Sequence, residues 1–255
     1  MKKKTRDRAA RAVAQRMESL QRAGVTHLRK PRWPADSLAG SAEAAPDMPT
    51  PSVGGESGRP AGKQDDRVAA LEAIARQVAV CIRCAELART RTQAVFGVGN
   101  PYARLVFLGE APGADEDRQG EPFVGAAGQL LNKIIGACGL RREDVYIMNI
   151  LRCRPPGNRA PLPVEAANCR EYLDRQLAII QPEFICCLGA VAAQNLLHTD
   201  TSIGRLRGRF HDYHGIKVLC TYHPAYLLRN PAAKRPTWDD MQLLMAEMGI
   251  EVPPK

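Results

Sequence analysis

RLVFLGEAPGADED, residues 104–117, is the stretch that decides the fold. Its first half is apolar without alternation and closes on a glycine. Its second half is a Gly/Pro turn carrying carboxylates. A short continuous apolar run bounded by turn residues reads as a strand buried on both faces. Three more runs read the same way: VYIMNI at 145–150, FICCLG at 184–189 and IKVLCTYHP at 216–224. Helical spacing lies around them, at 67–81, 125–138, 162–180, 190–197 and 236–248. Strands alternating with helices predict an α/β domain over 67–255, a three-layer α/β/α sandwich with a mostly parallel central sheet of about four strands. Ligands of such sheets sit beyond the carboxyl ends of the strands. Three of the four runs end in unusual polar residues there: the GEAPGADED turn, Asn149 and His223.

Outward from this domain the chain changes character. Residues 31–66 are dominated by Pro, Gly, Ala and Ser and keep no periodicity, the pattern of a disordered linker. Residues 1–30 hold ten Lys/Arg against two Asp/Glu, with helical apolar spacing over 5–23. The formal charge of +9 therefore resides almost wholly in this basic helix or tail. It is expected to tether DNA or engage a protein partner. At 45% apolar and 25% charged, the composition excludes wholesale disorder and low complexity. The longest apolar stretch, 184–193, is too short to span a bilayer, and no secretory h-region is seen. A cytoplasmic monomer without membrane contact is expected.

Eight cysteines in such a chain do not suggest a disulfide framework. Cys81 and Cys84 form C-x2-C, and Cys153 and Cys169 follow singly. Four thiolates so spaced can close round Zn or an iron–sulfur cluster, or each can be a small buried hydrophobe. Cys138, Cys186, Cys187 and Cys220 fall in apolar runs and read as core.

GEAPGADEDRQGEPFVGAAGQLLNKII, NILRCRPPGNRAP, LGAVAAQNLL and HPAYLLRNP, in this order, resemble the uracil-DNA glycosylase superfamily, and within it family 4, the iron–sulfur type. The likeness runs from about Cys81 to the last helix and leaves residues 1–66 outside. It implies a 4Fe–4S cluster on Cys81, Cys84, Cys153 and Cys169, with Zn as runner-up. It also implies excision of uracil from single- or double-stranded DNA, leaving an abasic site. The rivals are a glycosylase for another deaminated base and a cluster-stapled nucleic-acid binding module without catalysis.

A glycosylase must extrude the base, hold it and stabilise the charge it carries away. An amide offers a donor and an acceptor side by side, so a fixed Asn149 tells uracil from cytosine. Phe123, in a Gly/Pro loop, is the candidate stacking face. His223 is the candidate donor to uracil O2. The resemblance implies uracil contacts from Glu110 and Ala111, with Glu110 in a catalytic role and Glu116 as a sentinel against thymine's methyl. Ala111 stands where several branches carry a polar water activator. Asp115 and Asp117 read as solvated acids or helix N-terminal charges. Leu227, Leu228 and Arg229 suit a wedge followed by a phosphate contact. Gly189 and Ala190 open a helix whose N–H groups suit phosphate, and Arg207 is a further phosphate candidate.

Overall fold

The structure is a computed structural model that describes residues 62–251, with side chains from residue 66. These lie within one compact unit, Ser57–Lys255. The basic segment and most of the linker fall outside the described residues. The first helix, α1 (Gly62–Ala79), begins inside the stretch read as linker. It buries Leu71, Ile74 and Val78, a helical stripe.

The chain continues through α2 (Ala85–Thr90), β1 (Val98–Gly99), β2 (Leu105–Gly109), α3 (Ala114–Gln119), α4 (Ala126–Ala137), β3 (Tyr146–Asn149), α5 (Pro163–Ile180), β4 (Phe184–Leu188) and α6 (Ala190–Leu197). It ends with α7 (Ile203–Leu206), β5 (Phe210–Tyr213), β6 (Ile216–Thr221), α8 (Pro224–Arg229) and α9 (Lys234–Met248). One six-stranded sheet has the order β1-β3-β2-β4-β6-β5. Its four central strands are parallel and are the four expected. The two extra strands are antiparallel edges, which corrects the count of about four. β1 has only two residues and carries no pattern to read. β5 is FHDY, polar and half-exposed because an edge strand has one neighbour. It joins β6 through His214 (φ 53°) and Gly215 (φ 84°), the left-handed pair of a tight hairpin.

Successive residues of the central strands feed opposite layers, which explains the unbroken apolar runs. Val106, Leu108, Met148, Ile185, Cys187 and Val218 pack toward Leu173 and Leu177 of α5 and Ala192 and Leu196 of α6. Leu105, Phe107, Ile147, Cys186 and Leu219 pack toward Leu131 and Ile135 of α4 and Met241, Leu244 and Met245 of α9. The parallel register puts Gly109 beside Asn149 and Leu188 beside Thr221. The carboxyl ends of all four strands therefore share one edge, where the polar residues gather. Among the described residues no helix is long and apolar enough to cross a membrane.

Candidate active site

A cavity of about 400 Å³ opens at that edge, lined among others by Glu110, Ala111, Glu116, Phe123, Asn149, Arg159, His223 and Tyr226. Gly109 makes it possible. A Cβ there would stand 2.3 Å from Asn149 Oδ1 and 2.6 Å from the Phe123 ring. Phe123 has φ 54°, a strained conformation for an aromatic residue. Two braces hold it. Glu116 accepts from the N–H groups of Val124 and Gly125 at 2.9 Å with one oxygen and from Gly113 at 3.0 Å with the other. Arg142 donates to Pro122 O at 2.6 Å and Phe123 O at 3.4 Å. The Glu116 carboxylate thus braces the aromatic loop, an employment the sequence did not suggest. Asp117 does lie in the first turn of α3, one of its two readings, but it is not solvated. It is 2% exposed, and both its oxygens accept from Thr92 N–H at 3.0 Å.

Asn149 is 3% exposed, and its Oδ1 has no hydrogen-bond partner. Leaving a buried acceptor unmade costs about 1–3 kcal/mol, and this one lies on the cavity wall, where a donor can reach it. His223 caps α8, and its Nδ1 accepts from Ala225 N–H at 3.1 Å. The proton of the neutral ring therefore sits on Nε2. Burial first, then the charge of Arg229, lowers the His223 pKa to about 4. The imidazole is neutral at pH 7 and acts as a donor. Its ring centre lies 5.5 Å from that of Phe123. Burial alone raises the pKa of Glu110, whose carboxyl takes part in no ion pair or hydrogen bond among the described residues.

The remaining expectations divide. Leu228 is 46% exposed, beside an exposed Arg229, so both side chains are accessible. Leu227 is 1% exposed and belongs to the core, because α8 turns it inward. Gly189 N–H is already donated to Thr221 O at 2.8 Å, which leaves Ala190 at that helix start. Gly189 instead matters for closeness, since a Cβ would meet that of His223 at 3.0 Å with φ 92°. Arg207 is committed internally, to Asp240 at 3.0 Å and to Pro236 O. Arg159, Asn158 and Tyr226 line the cavity without having been singled out. For Arg159 and Asn158 the signal lay in the irregular PPGNRAP loop, and for Tyr226 in its place within HPAYLLR.

Behind this wall the four spaced cysteines converge. Cys153 and Cys169 are buried with Leu87 and Leu151, and Cys84 and Ala111 pack against them. Cys81 lies close enough for its charge to act on both Cys153 and Cys169. All eight cysteines are free. Donors point at the sulfurs: Arg91 to Cys153 Sγ at 2.9 Å and Asn168 to Cys84 Sγ at 3.5 Å. Among the described residues no group of three or more His, Cys, Asp or Glu side chains is arranged to hold a metal ion. Free thiols gathered from three segments, two of them with donors on their sulfurs, are in kind the soft ligands a thiolate-bound metal centre takes. Cys138, Cys186, Cys187 and Cys220 are buried in the sheet's two cores, as read.

Fold and site together define a class: an α/β protein with a pocket at the carboxyl ends of its parallel strands, lined by an aromatic ring, an amide with an open acceptor and an imidazole N–H. The model of the uracil DNA glycosylase superfamily matches residues 96–242, and the chain belongs to that superfamily. It is similar to the Type-4 uracil-DNA glycosylase of Archaeoglobus fulgidus, 46% identical over 191 residues covering 72% of this chain and 96% of that one. The Type-4 uracil-DNA glycosylase of Thermotoga maritima is 46% identical over 162 residues, 63% and 84% of the two chains. The Type-5 uracil-DNA glycosylase of Pyrobaculum aerophilum is 32% identical over 146 residues, 51% and 64%.

Proposed function

We propose that the chain is a monofunctional DNA repair glycosylase that extrudes uracil and hydrolyses its N-glycosidic bond, leaving an abasic site. The observation that carries this is the orphaned Asn149 Oδ1 on the wall of an aromatic pocket. Uracil N3–H donates to Oδ1 and O4 accepts from the amide N–H₂, whereas cytosine presents the reverse pattern. Phe123 supplies the stacking face. His223 Nε2–H donates to O2 as negative charge develops there. A water attacks C1′ as the bond to N1 breaks. Its proton passes to the Glu110 carboxylate, and uracil leaves as the anion. Leu228 fills the vacated stack, while Arg229 and Ala190 N–H meet phosphate. The +8 segment at 1–30 tethers DNA.

Cys81, Cys84, Cys153 and Cys169 hold a 4Fe–4S cluster, which when bound supplies a rigid crosslink between the segment before α2, the loop after Asn149 and α5. The test of activity is incubation with a uracil-containing oligonucleotide followed by alkali, beside thymine- and hypoxanthine-containing controls. Strand breaks at uracil alone are expected, and an uncleaved uracil strand overturns the reading. Anaerobically purified protein should be brown with iron bound, and Cys81→Ala should lose it while Cys138→Ser keeps it. Colourless protein with stoichiometric zinc overturns the cluster assignment.

A further inference from the structure

Arg152 is among the largest fully buried side chains in the domain, 1% exposed. A guanidinium stays charged in any protein environment. A buried one is normally matched by a carboxylate, yet none of the ion pairs among the described residues includes it. Its hydrogen-bond partners are neutral. Nη1 donates to Asn149 O at 2.7 Å and Ile150 O at 3.0 Å, and Nη2 donates to Gln176 Oε1. Gln176 is itself fully buried and is held by Phe96 O and the Tyr146 hydroxyl. Nε has no partner. Besides neutral groups, sulfur acts on this cation, Cys169 ahead of Cys153, while the Asp174 carboxylate acts more weakly and is already paired with Arg170. Cys153 is its chain neighbour, and Cys169 of α5, the helix that also carries Gln176, lies close enough for the two groups' charges to interact. Neutral thiols leave the charge unmatched. Thiolates bound to a metal cluster match it.

We propose that Arg152 is a positioning residue that joins the two sites: the metal-bound thiolates hold its charge in place, and its fork holds the backbone of Asn149 at the depth where the amide meets the base. This rests on the reading of Asn149 as the base-reading residue. No other described side chain joins the pocket wall to the cluster by this route, since the carbonyls it grips are those of Asn149 and Ile150. The two demands on Arg152 are separable. A counter-charge needs only a cation, whereas gripping two carbonyls and an amide at once needs a planar fork.

The test compares Arg152→Gln and Arg152→Lys in the metal-loaded protein, reading metal loss to a chelator and uracil excision. Arg152→Gln should weaken metal retention by roughly 10–100-fold, as removal of a group supporting metal ligands does, and should lower excision. Arg152→Lys should restore retention and not excision, with the loss falling on kcat more than on KM. Arg152→Lys combined with Asn149→Ala should excise no more slowly than Asn149→Ala alone, because both changes remove one interaction. If Arg152→Gln fails to fold, the lysine variant and the double variant decide. The proposal is overturned by a lysine variant that loses metal as readily as glutamine does, by full excision in either variant, or by additive losses in the double. Wild-type protein that removes no uracil would sink the functional reading, while the retention series would still read the counter-charge.

Discussion

Two cavities of this domain differ in the state of their hydrogen bonds. The larger, about 640 Å³, lies between α5 and α6 and is lined by Arg170, Gln194 and Asn195 among others. Its partly buried polar side chains are occupied, and the exposed His198 and Asp200 lie at its solvent side. Arg170 bonds Asp174, Asn195 O and the Tyr213 hydroxyl, Asn195 bonds Val191 O at 2.8 Å and Gln194 bonds Thr201 O at 3.2 Å. The smaller, about 400 Å³, holds a buried acceptor without a donor, a carboxyl without a partner and an aromatic residue at φ 54°. Volume is what packing leaves over. Unmade bonds and strain persist only where the rest of the structure stabilises them, so they locate function better than size does.

The hardest blow to this comparison falls on Asn149. Asn149→Ala removes two bonds inside a desolvated pocket, one of which strengthens as the base becomes anionic. A loss of about 2.7–4 kcal/mol, roughly 100–1000-fold in excision rate, is expected. Asn149→Asp should be slower still, since a carboxylate faces both O4 and the developing charge. Binding to undamaged duplex and metal content should hold, because the residue touches neither phosphate nor cluster. Near wild-type excision by Asn149→Ala would show that the open acceptor marks nothing.

A smaller effect concerns pH. An ordinary histidine would give the excision rate an acid limb near 6.5. With its pKa lowered to about 4, His223 should stay a neutral donor well below that, and no limb at 6.5 should appear. The stability consequence has the sign of a buried neutral base. The unfolded chain takes up a proton at about 6.5 and the folded one resists until about 4. His223 therefore contributes stability above pH 6.5 that is lost as pH falls toward 4. Denaturant titrations of wild type and His223→Ala at pH 7.5 and 4.5 should show a smaller drop in the variant. A limb that does appear above 4 is expected to belong to Glu110, raised by burial, and to vanish in Glu110→Gln.

Sequence and structure agree most where burial acts on both faces of an element. The four central strands were legible because each residue packs into one layer or the other, and FICCLG could be nothing polar or half-exposed. The strand-end positions of Asn149 and His223 were legible for the same reason. What escaped is what one neighbour decides. FHDY pairs on one side only, and its hairpin rests on two left-handed residues rather than on hydrophobicity. Leu227 and Leu228 are adjacent and alike in sequence, and only the turn of α8 sends one inward. Arg207 read as a phosphate contact, and Arg152 looked like any of the other arginines. Their employments, an ion pair with Asp240 and a grip on the backbone of Asn149, depend on partners distant in the chain or on a fold-back that spacing does not encode.

The smallest effect expected tests the comparison from its quiet side. Gln194→Ala in the larger cavity removes the hydrogen bond to Thr201 O and nothing that awaits a ligand. The typical net worth of such a bond is about 0.5–1.5 kcal/mol, so a slight fall in unfolding midpoint is expected. Excision should change by no more than about twofold, the kinetic equivalent of roughly 0.5 kcal/mol. The reason is geometric: Gln194 lies on α6 and bonds along its own connection, whereas the reacting groups hang from β2, β3 and the start of α8. On the proposed reading a substrate strand laid across the Asn149 pocket is positioned by Leu228, Arg229 and the Ala190 N–H, and the Gln194 side chain hydrogen-bonds to Thr201 O instead. Should Gln194→Ala reduce excision as steeply as Asn149→Ala, a cavity with satisfied bonds would be as functional as one with open bonds. The criterion that separates the two would then have to be abandoned.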